Sequence, residues 1–306
     1  MLGKKNPPIV DTNFLFLIIA LLLISLGSWV QGKQIYLGLL VTEYLLILFP
    51  ILLYLKAKGF HIKEFLKIRR LSLKQIVYIV LIVIFSYPIA VFFNYIGILI
   101  LSRYGKIIPN PVPLPSDLVD LLVGFVTIAL TPGICEEVMF RGMIMKSYEV
   151  YGTRKAIILS SILFGLFHFN LQNLLGPIFL GILFGILATK TKSLLSSIVG
   201  HTANNTIALI IGFFTRNSQQ NTADLIPDPG SLAYGAVALG VISFLLWLIV
   251  KKLLKSIPAG ADELDMAEEQ ALSITGVRNR MSFIEIVPIV IIMVIFSIMN
   301  YRIFFA

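Results

Sequence analysis

Cysteine is nearly missing from these 306 residues, with Cys135 the only one, which rules out an internal disulfide framework and any Cys-rich zinc or iron–sulfur site. Charge is scarce as well, at 13% of residues against about 25% in ordinary soluble domains. Histidine occurs three times and never in an H-E-x-x-H pair. There is no internal repeat and no low-complexity tract, so repeat arrays and compositionally disordered segments are excluded. No small-residue cleavage pattern follows the first apolar run, Phe14 to Val30, although Lys4 and Lys5 precede it as they would in a signal sequence. That run is therefore read as an uncleaved first span.

What is abundant is apolar surface: 58% of residues are hydrophobic and the mean hydropathy is +0.92, where soluble domains hold about 45–50% apolar residues. With about 20 residues needed per helical crossing, spans fall near 13–30, 35–55, 75–101, 118–142, 155–170, 172–189, 193–214, 231–250 and 283–303. The expected fold class is all-α, a multi-spanning transmembrane bundle of eight or nine spans. Three regions divide it: 1–114 with the first helices, 115–214 with the motifs described below, and 215–306 with the last helices.

The net charge of +9 is spread over short loops rather than gathered on one polar face, so it speaks for topology and against nucleic acid. With the N-terminus inside, twenty of the 25 basic residues fall on the cytoplasmic side and five, Lys33, Arg103, Lys106, Arg216 and Arg302, fall outside. The positive-inside rule then gives a cell-membrane protein with its N-terminus cytoplasmic and its C-terminus outside. The stretch Lys56 to Lys74 mixes Phe60, Ile62, Phe65, Leu66 and Ile68 with basic residues, as an amphipathic segment on an anionic surface does; a solvated basic loop is the plainer alternative. Asp262, Glu263, Asp265, Glu268 and Glu269 mark an acidic cytoplasmic linker, and Pro111, Pro113 and Pro115 a non-helical outer loop.

Ionisable side chains inside spans cost several kcal/mol each and tend to line a functional cavity. The fourth span carries Glu136, Glu137 and Arg141 in T-P-G-I-C-E-E-V-M-F-R-G, the fifth carries Phe164 and His168, and the seventh carries His201, Asn204 and Asn205. Glu136 lies 14 residues before Val150 and His168 lies 14 after Arg154; at about 1.5 Å per residue both sit roughly 20 Å from the connecting turn. His201 and Asn205 follow Ser193 by 8 and 12 residues, roughly 12 to 18 Å along their helix, so all can meet in one cavity.

Residues four apart share a helix face, which pairs Phe164 with His168, His201 with Asn205, and Glu137 with Arg141. If Arg141 neutralises Glu137, Glu136 remains as the free carboxylate. A carboxylate beside an imidazole in a low-dielectric cavity can activate water. His201 and the Asn205 amide can donate to an oxygen that gains charge, and together these groups suffice for amide hydrolysis. Pro132 and Gly133 should loosen the helix one turn before Glu136, or form an ordinary proline kink. Gly181 and Gly185 form a small-xxx-small pair of the kind that packs helices closely.

These three motifs resemble those of the CAAX-processing and bacteriocin-processing intramembrane proteases, the CPBP or Abi group. Its E-E-x-x-x-R matches Glu136, Glu137 and Arg141, its F-x-x-x-H matches Phe164 and His168, and its H-x-x-x-N matches His201 and Asn205, over about residues 115–210. The resemblance implies a type II CAAX endopeptidase-like bundle with a cytoplasm-facing cavity. In it Glu136 and His168 activate water, His201 and Asn205 form the oxyanion site, and Glu137 and Arg141 support them. No metal and no other cofactor is expected, with zinc the alternative. The implied partners are a peptide or membrane-protein tail as substrate and the lipid bilayer. Two other classes stay open: a non-proteolytic immunity or scaffold protein in which the polar cluster is structural, and a transporter with a proton relay, for which no inverted repeat is evident.

Overall fold

The computed structural model describes residues 6–108, 114–222, 229–260 and 278–305. Pro111, Pro113 and the acidic cluster from Asp262 to Glu269 lie outside the described residues. Among the described residues every regular element is helical. In chain order these are α1 (Ile9–Lys33), α2 (Ile35–Ala57), the short α3 (Ile62–Phe65), α4 (Leu73–Tyr104), α5 (Leu118–Tyr151), α6 (Thr153–Phe167), α7 (Leu175–Thr191), α8 (Leu194–Thr222), α9 (Pro229–Ser256) and α10 (Phe283–Phe304). Seven of them, α1, α2, α4, α5, α8, α9 and α10, are long and apolar enough to cross a membrane. The chain is a multi-pass membrane protein built as a helical bundle.

Helix starts follow ordinary capping chemistry. Asp117 opens α5, its Oδ1 accepting from the backbone N–H groups of Val119 at 2.8 Å and Asp120 at 2.9 Å. Ser72 with Gln75 and Ser282 with Glu285 form capping boxes at α4 and α10.

Seven helices of spanning length stand among the described residues where eight or nine spans are predicted. The fifth and sixth apolar runs are helices of 15 and 17 residues, about 22 and 26 Å long, while a bilayer core is about 30 Å thick. The break between them is conformational rather than polar. Phe169 adopts a left-handed φ of 49°, and Asn170 Oδ1 accepts from the N–H groups of Gln172 and Asn173, an Asx turn. The turn is then held by distant helices: Asn300 Oδ1 of α10 accepts from Leu171 N at 2.7 Å, and Asn94 Oδ1 of α4 accepts from Gly176 N at 2.8 Å. Hydropathy gives two runs that meet near residue 171 and not the width of the turn, because Phe169, Leu171 and Leu174 keep the chain apolar through it.

The α6–α7 hairpin is packed through small residues, as the Gly181 and Gly185 pair predicts. A Cβ on Gly181 would stand 2.8 Å from that of Ser161, and one on Gly185 3.0 Å from Ile157 Cγ2. Across α5 and α8 the approach is closer still: a Cβ on Gly133 would lie 2.3 Å from Thr202 Oγ1. Lipid supplies no hydrophobic drive between helices, so such backbone proximity is the main source of their adhesion.

The basic stretch after α2 is folded onto the protein rather than forming one amphipathic helix. Its only helix is the single turn α3; Leu66 is buried and lies against Gly142. Lys67 O accepts from Leu194 N, and Arg69 O accepts from Ser193 Oγ at 2.7 Å, which ties the stretch to the start of α8. Lys56, Lys58, Lys63, Arg70 and Lys74 stay exposed. At the same end of the bundle α1, α5 and α10 are joined through Asn13, which donates to Glu285 O at 2.7 Å and accepts from the Tyr148 hydroxyl at 2.6 Å.

Candidate active site

Glu136 and Glu137 sit where α5 changes its winding. The segment Thr131–Glu137 is α-helical and is followed by a π-helical segment, Val138–Ile144; such wide turns recur at functional sites because they rotate successive side chains to new faces. Both glutamates lie just before that change, and as neighbours on a helix of 3.6 residues per turn they point into different surroundings.

Glu137 is fully buried, and its Oε1 accepts from Arg141 Nη1 at 2.7 Å and from His201 Nδ1 at 2.9 Å. Arg141 also donates through Nη2 to the Gly181 carbonyl of α7 at 2.9 Å, and its guanidinium lies 4.6 Å from the centre of the Phe164 ring. The His201 ring stacks on Phe184 at 5.4 Å and meets the edge of Phe164 at 5.7 Å. Motif residues on α5, α6 and α8 thus converge on one buried ion pair. Because a carboxylate only accepts, His201 Nδ1 carries the hydrogen and Nε2 is the nitrogen turned to other work.

Glu136 faces a separate polar cavity of about 270 Å³ whose lining includes Gln31, Thr42, Glu43, Glu136, His168 and Met299. The residue is 8% exposed and its Oε2 has no hydrogen-bond donor among the described residues. His168 caps the end of α6 rather than lying within it. Its Nδ1 is 2.8 Å from the Phe164 carbonyl, and its ring meets the Phe164 ring edge-on at 5.1 Å. The carbonyl can only accept, so Nδ1 bears the hydrogen and Nε2 keeps a lone pair in the neutral ring. Phe164 therefore fixes His168 both by ring packing and by hydrogen bonding.

The expected grouping divides in two. Glu136 and His168 share the cavity, as their matched distance from the 150–154 turn predicts. His201 and Asn205 do not line it. Asn205 instead donates from Nδ2 to the Ile128 carbonyl at 2.9 Å and accepts from Asn204 at 3.1 Å. Ile128 is the residue four before Pro132, which has no N–H to return to it. The backbone disruption expected at Pro132 is thus satisfied by Asn205 across the α5–α8 contact.

One functional candidate escaped the sequence reading. Glu43, in the π-helical segment Thr42–Leu48 of α2, is buried and lines the same cavity as Glu136. It belongs to none of the three motifs. The available signal was a lone acid in the middle of an apolar run, which is costly there by the same rule that picked out the others.

A catalytic zinc takes three protein ligands. Among the described residues no three side chains of His, Cys, Asp or Glu gather closely enough to hold a metal ion.

Residues 118–207 match the family model described as type II CAAX prenyl endopeptidase, Rce1-like. The match runs from the start of α5 into α8 and spans all three motifs, and it names the same family that those motifs resemble. No curated protein and no solved structure matches the chain. The Rce1-like region supplies Glu136 and His168; the α1, α2 and α10 residues of the cavity lie outside it.

Proposed function

We propose that the protein is an intramembrane endopeptidase that hydrolyses a peptide bond in a short peptide or a membrane-protein tail. The observation that carries this reading is the pairing of Glu136, with an uncommitted oxygen, and His168, with its Nε2 lone pair fixed by Phe164, in one buried polar cavity. Water held there gives a proton to Glu136 as its oxygen adds to the substrate carbonyl, and His168 Nε2 orients that water or shares its proton. The C–N bond then breaks and the proton passes to the amine, leaving a free acid and a free amine. No acyl-enzyme forms and no metal takes part.

The resemblance assigns His201 and Asn205 to the carbonyl oxygen, a role that requires the substrate carbonyl to reach beyond the Glu136 cavity toward α8, because neither side chain lines that cavity. Asn205 keeps its second amide hydrogen, while His201 donates from Nε2 only when doubly protonated, because Nδ1 already serves Glu137. Glu137 and Arg141 hold that imidazole in place. The protein lies in the cell membrane with its N-terminus cytoplasmic, and substrate enters from the cytoplasmic side.

A second reading, a non-proteolytic immunity or scaffold protein, is favoured by one fact: Glu137, Arg141, His201 and Asn205 all have protein partners, as a structural network would. Incubating purified protein with a pool of C-terminal tail peptides, prenylated and plain, separates the two. New fragments that persist in a chelator support the metal-free protease. Fragments lost with chelator would overturn its metal-free part, and intact peptides throughout would favour the scaffold.

A further inference from the structure

We propose that Glu43 is a positioning residue of this active site, a second carboxyl that shares a proton with Glu136 and orients it; the proposal deepens the protease reading and rests on it. A hydrogen bond between two carboxyl groups requires that one of them carry a proton, since ionised carboxylates only accept. Glu43 and Glu136 line one cavity of about 270 Å³, Glu43 is 6% exposed and Glu136 8%, and the Oε2 of each has no donor among the described residues. Arg141 and His201 are committed to Glu137, so neither competes for the pair, and His168 is the basic side chain that lines the cavity with it. Two like charges buried in one small low-dielectric cavity repel strongly, and sharing one proton is the low-energy arrangement.

The surrounding backbone is wound to bring this about. Wide π-helical turns occur at Leu23–Gly27 of α1 and Thr42–Leu48 of α2, and both border the cavity through Leu23, Ile24, Thr42 and Glu43. The neighbouring polar group is placed as well: Gln31 of α1 donates to Thr42 Oγ1 at 3.2 Å. A buried acid on a membrane helix is costly, and here its partner is the carboxylate that the reaction uses.

In the reaction the Glu43 proton stays within the pair. Its O–H donates to one oxygen of Glu136 and leaves the other facing water. Glu136 takes the water's proton as the carbon–oxygen bond forms, and gives that proton to the amine as the C–N bond breaks. Glu43 ends as it began. It acts on the reaction only through Glu136.

The test compares wild type, Glu43→Gln and Glu43→Leu, each checked for folding by thermal unfolding in detergent. Removing a positioned proton-transfer partner costs roughly 10²–10⁴ in rate; with its amide still able to donate, Glu43→Gln is expected to lower kcat about tenfold and Glu43→Leu about a hundredfold, with KM within about twofold of wild type. Infrared difference spectra at neutral pH give a readout independent of cleavage: the carbonyl stretch of a protonated, buried carboxyl should be present in wild type and lost in Glu43→Gln. A folded Glu43→Leu that turns over at the wild-type rate would overturn the proposal, as would a wild type and Glu43→Gln with the same carboxyl band. If wild type cleaves no peptide, the protease reading fails by itself, and the infrared comparison still decides whether the carboxyls share a proton.

Discussion

Glu136 and Glu137 are adjacent in sequence and stand in opposite settings. Glu137 is spent on structure: one oxygen takes both Arg141 and His201, and the guanidinium bridges onward to α7. Removing one partner of a buried pair leaves the other charge uncompensated, which costs about 3–5 kcal/mol. Glu137→Ala is therefore expected to lower the thermal unfolding temperature in detergent substantially, and an unfolding curve unchanged from wild type would show that Arg141 finds other partners. The division between the two acids was partly legible in advance, because the i,i+4 spacing of Glu137 and Arg141 sets Glu136 apart. The bond from His201 was not legible, since a contact between α5 and α8 depends on helix packing and not on spacing along either helix. Glu43 was legible only as an isolated polar residue.

Helix contacts supply the second level of control. Gly133 lets α5 approach α8 so closely that Thr202 Oγ1 would meet an added Cβ at 2.3 Å, and on the same contact Asn205 reaches the Ile128 carbonyl at 2.9 Å. Gly133→Val should force the two helices apart, costing about 1–3 kcal/mol as overpacking and weakening the Asn205 bond, with loss of both thermal stability and turnover. Full retention of both would mean that this contact does not set the site. The α6–α7 hairpin teaches a complementary lesson about sequence reading. Its helices and the break between them near residue 171 were found in the right places, but how the connection is made was not legible, because the turn at Phe169 and Asn170 is made by backbone conformation and an Asx bond inside an apolar run. Helices of 15 and 17 residues persist there because α4 and α10 satisfy the turn.

Across the molecule, the cavity draws on more than the family-matched region. Leu23, Gln31 and Glu43 come from the first two helices and Met299 from the last, all around Glu136 and His168. The proposed orientation is testable with the chain's own chemistry, since Cys135, the only cysteine, is fully buried and silent to aqueous thiol reagents. Lys63→Cys and Lys106→Cys, both at exposed positions, should be labelled by an impermeant reagent from the cytoplasmic and outer faces respectively; the reverse pattern would place the N-terminus outside.

The central claim is that Glu136 performs the chemistry. It is tested most directly by measuring peptide cleavage and thermal unfolding side by side for wild type and Glu136→Gln. The near-isosteric amide is expected to unfold at about the wild-type temperature while its turnover falls by at least about a hundredfold, the scale of general-base catalysis. A Glu136→Gln protein that is folded and still cleaves at the wild-type rate would contradict the account.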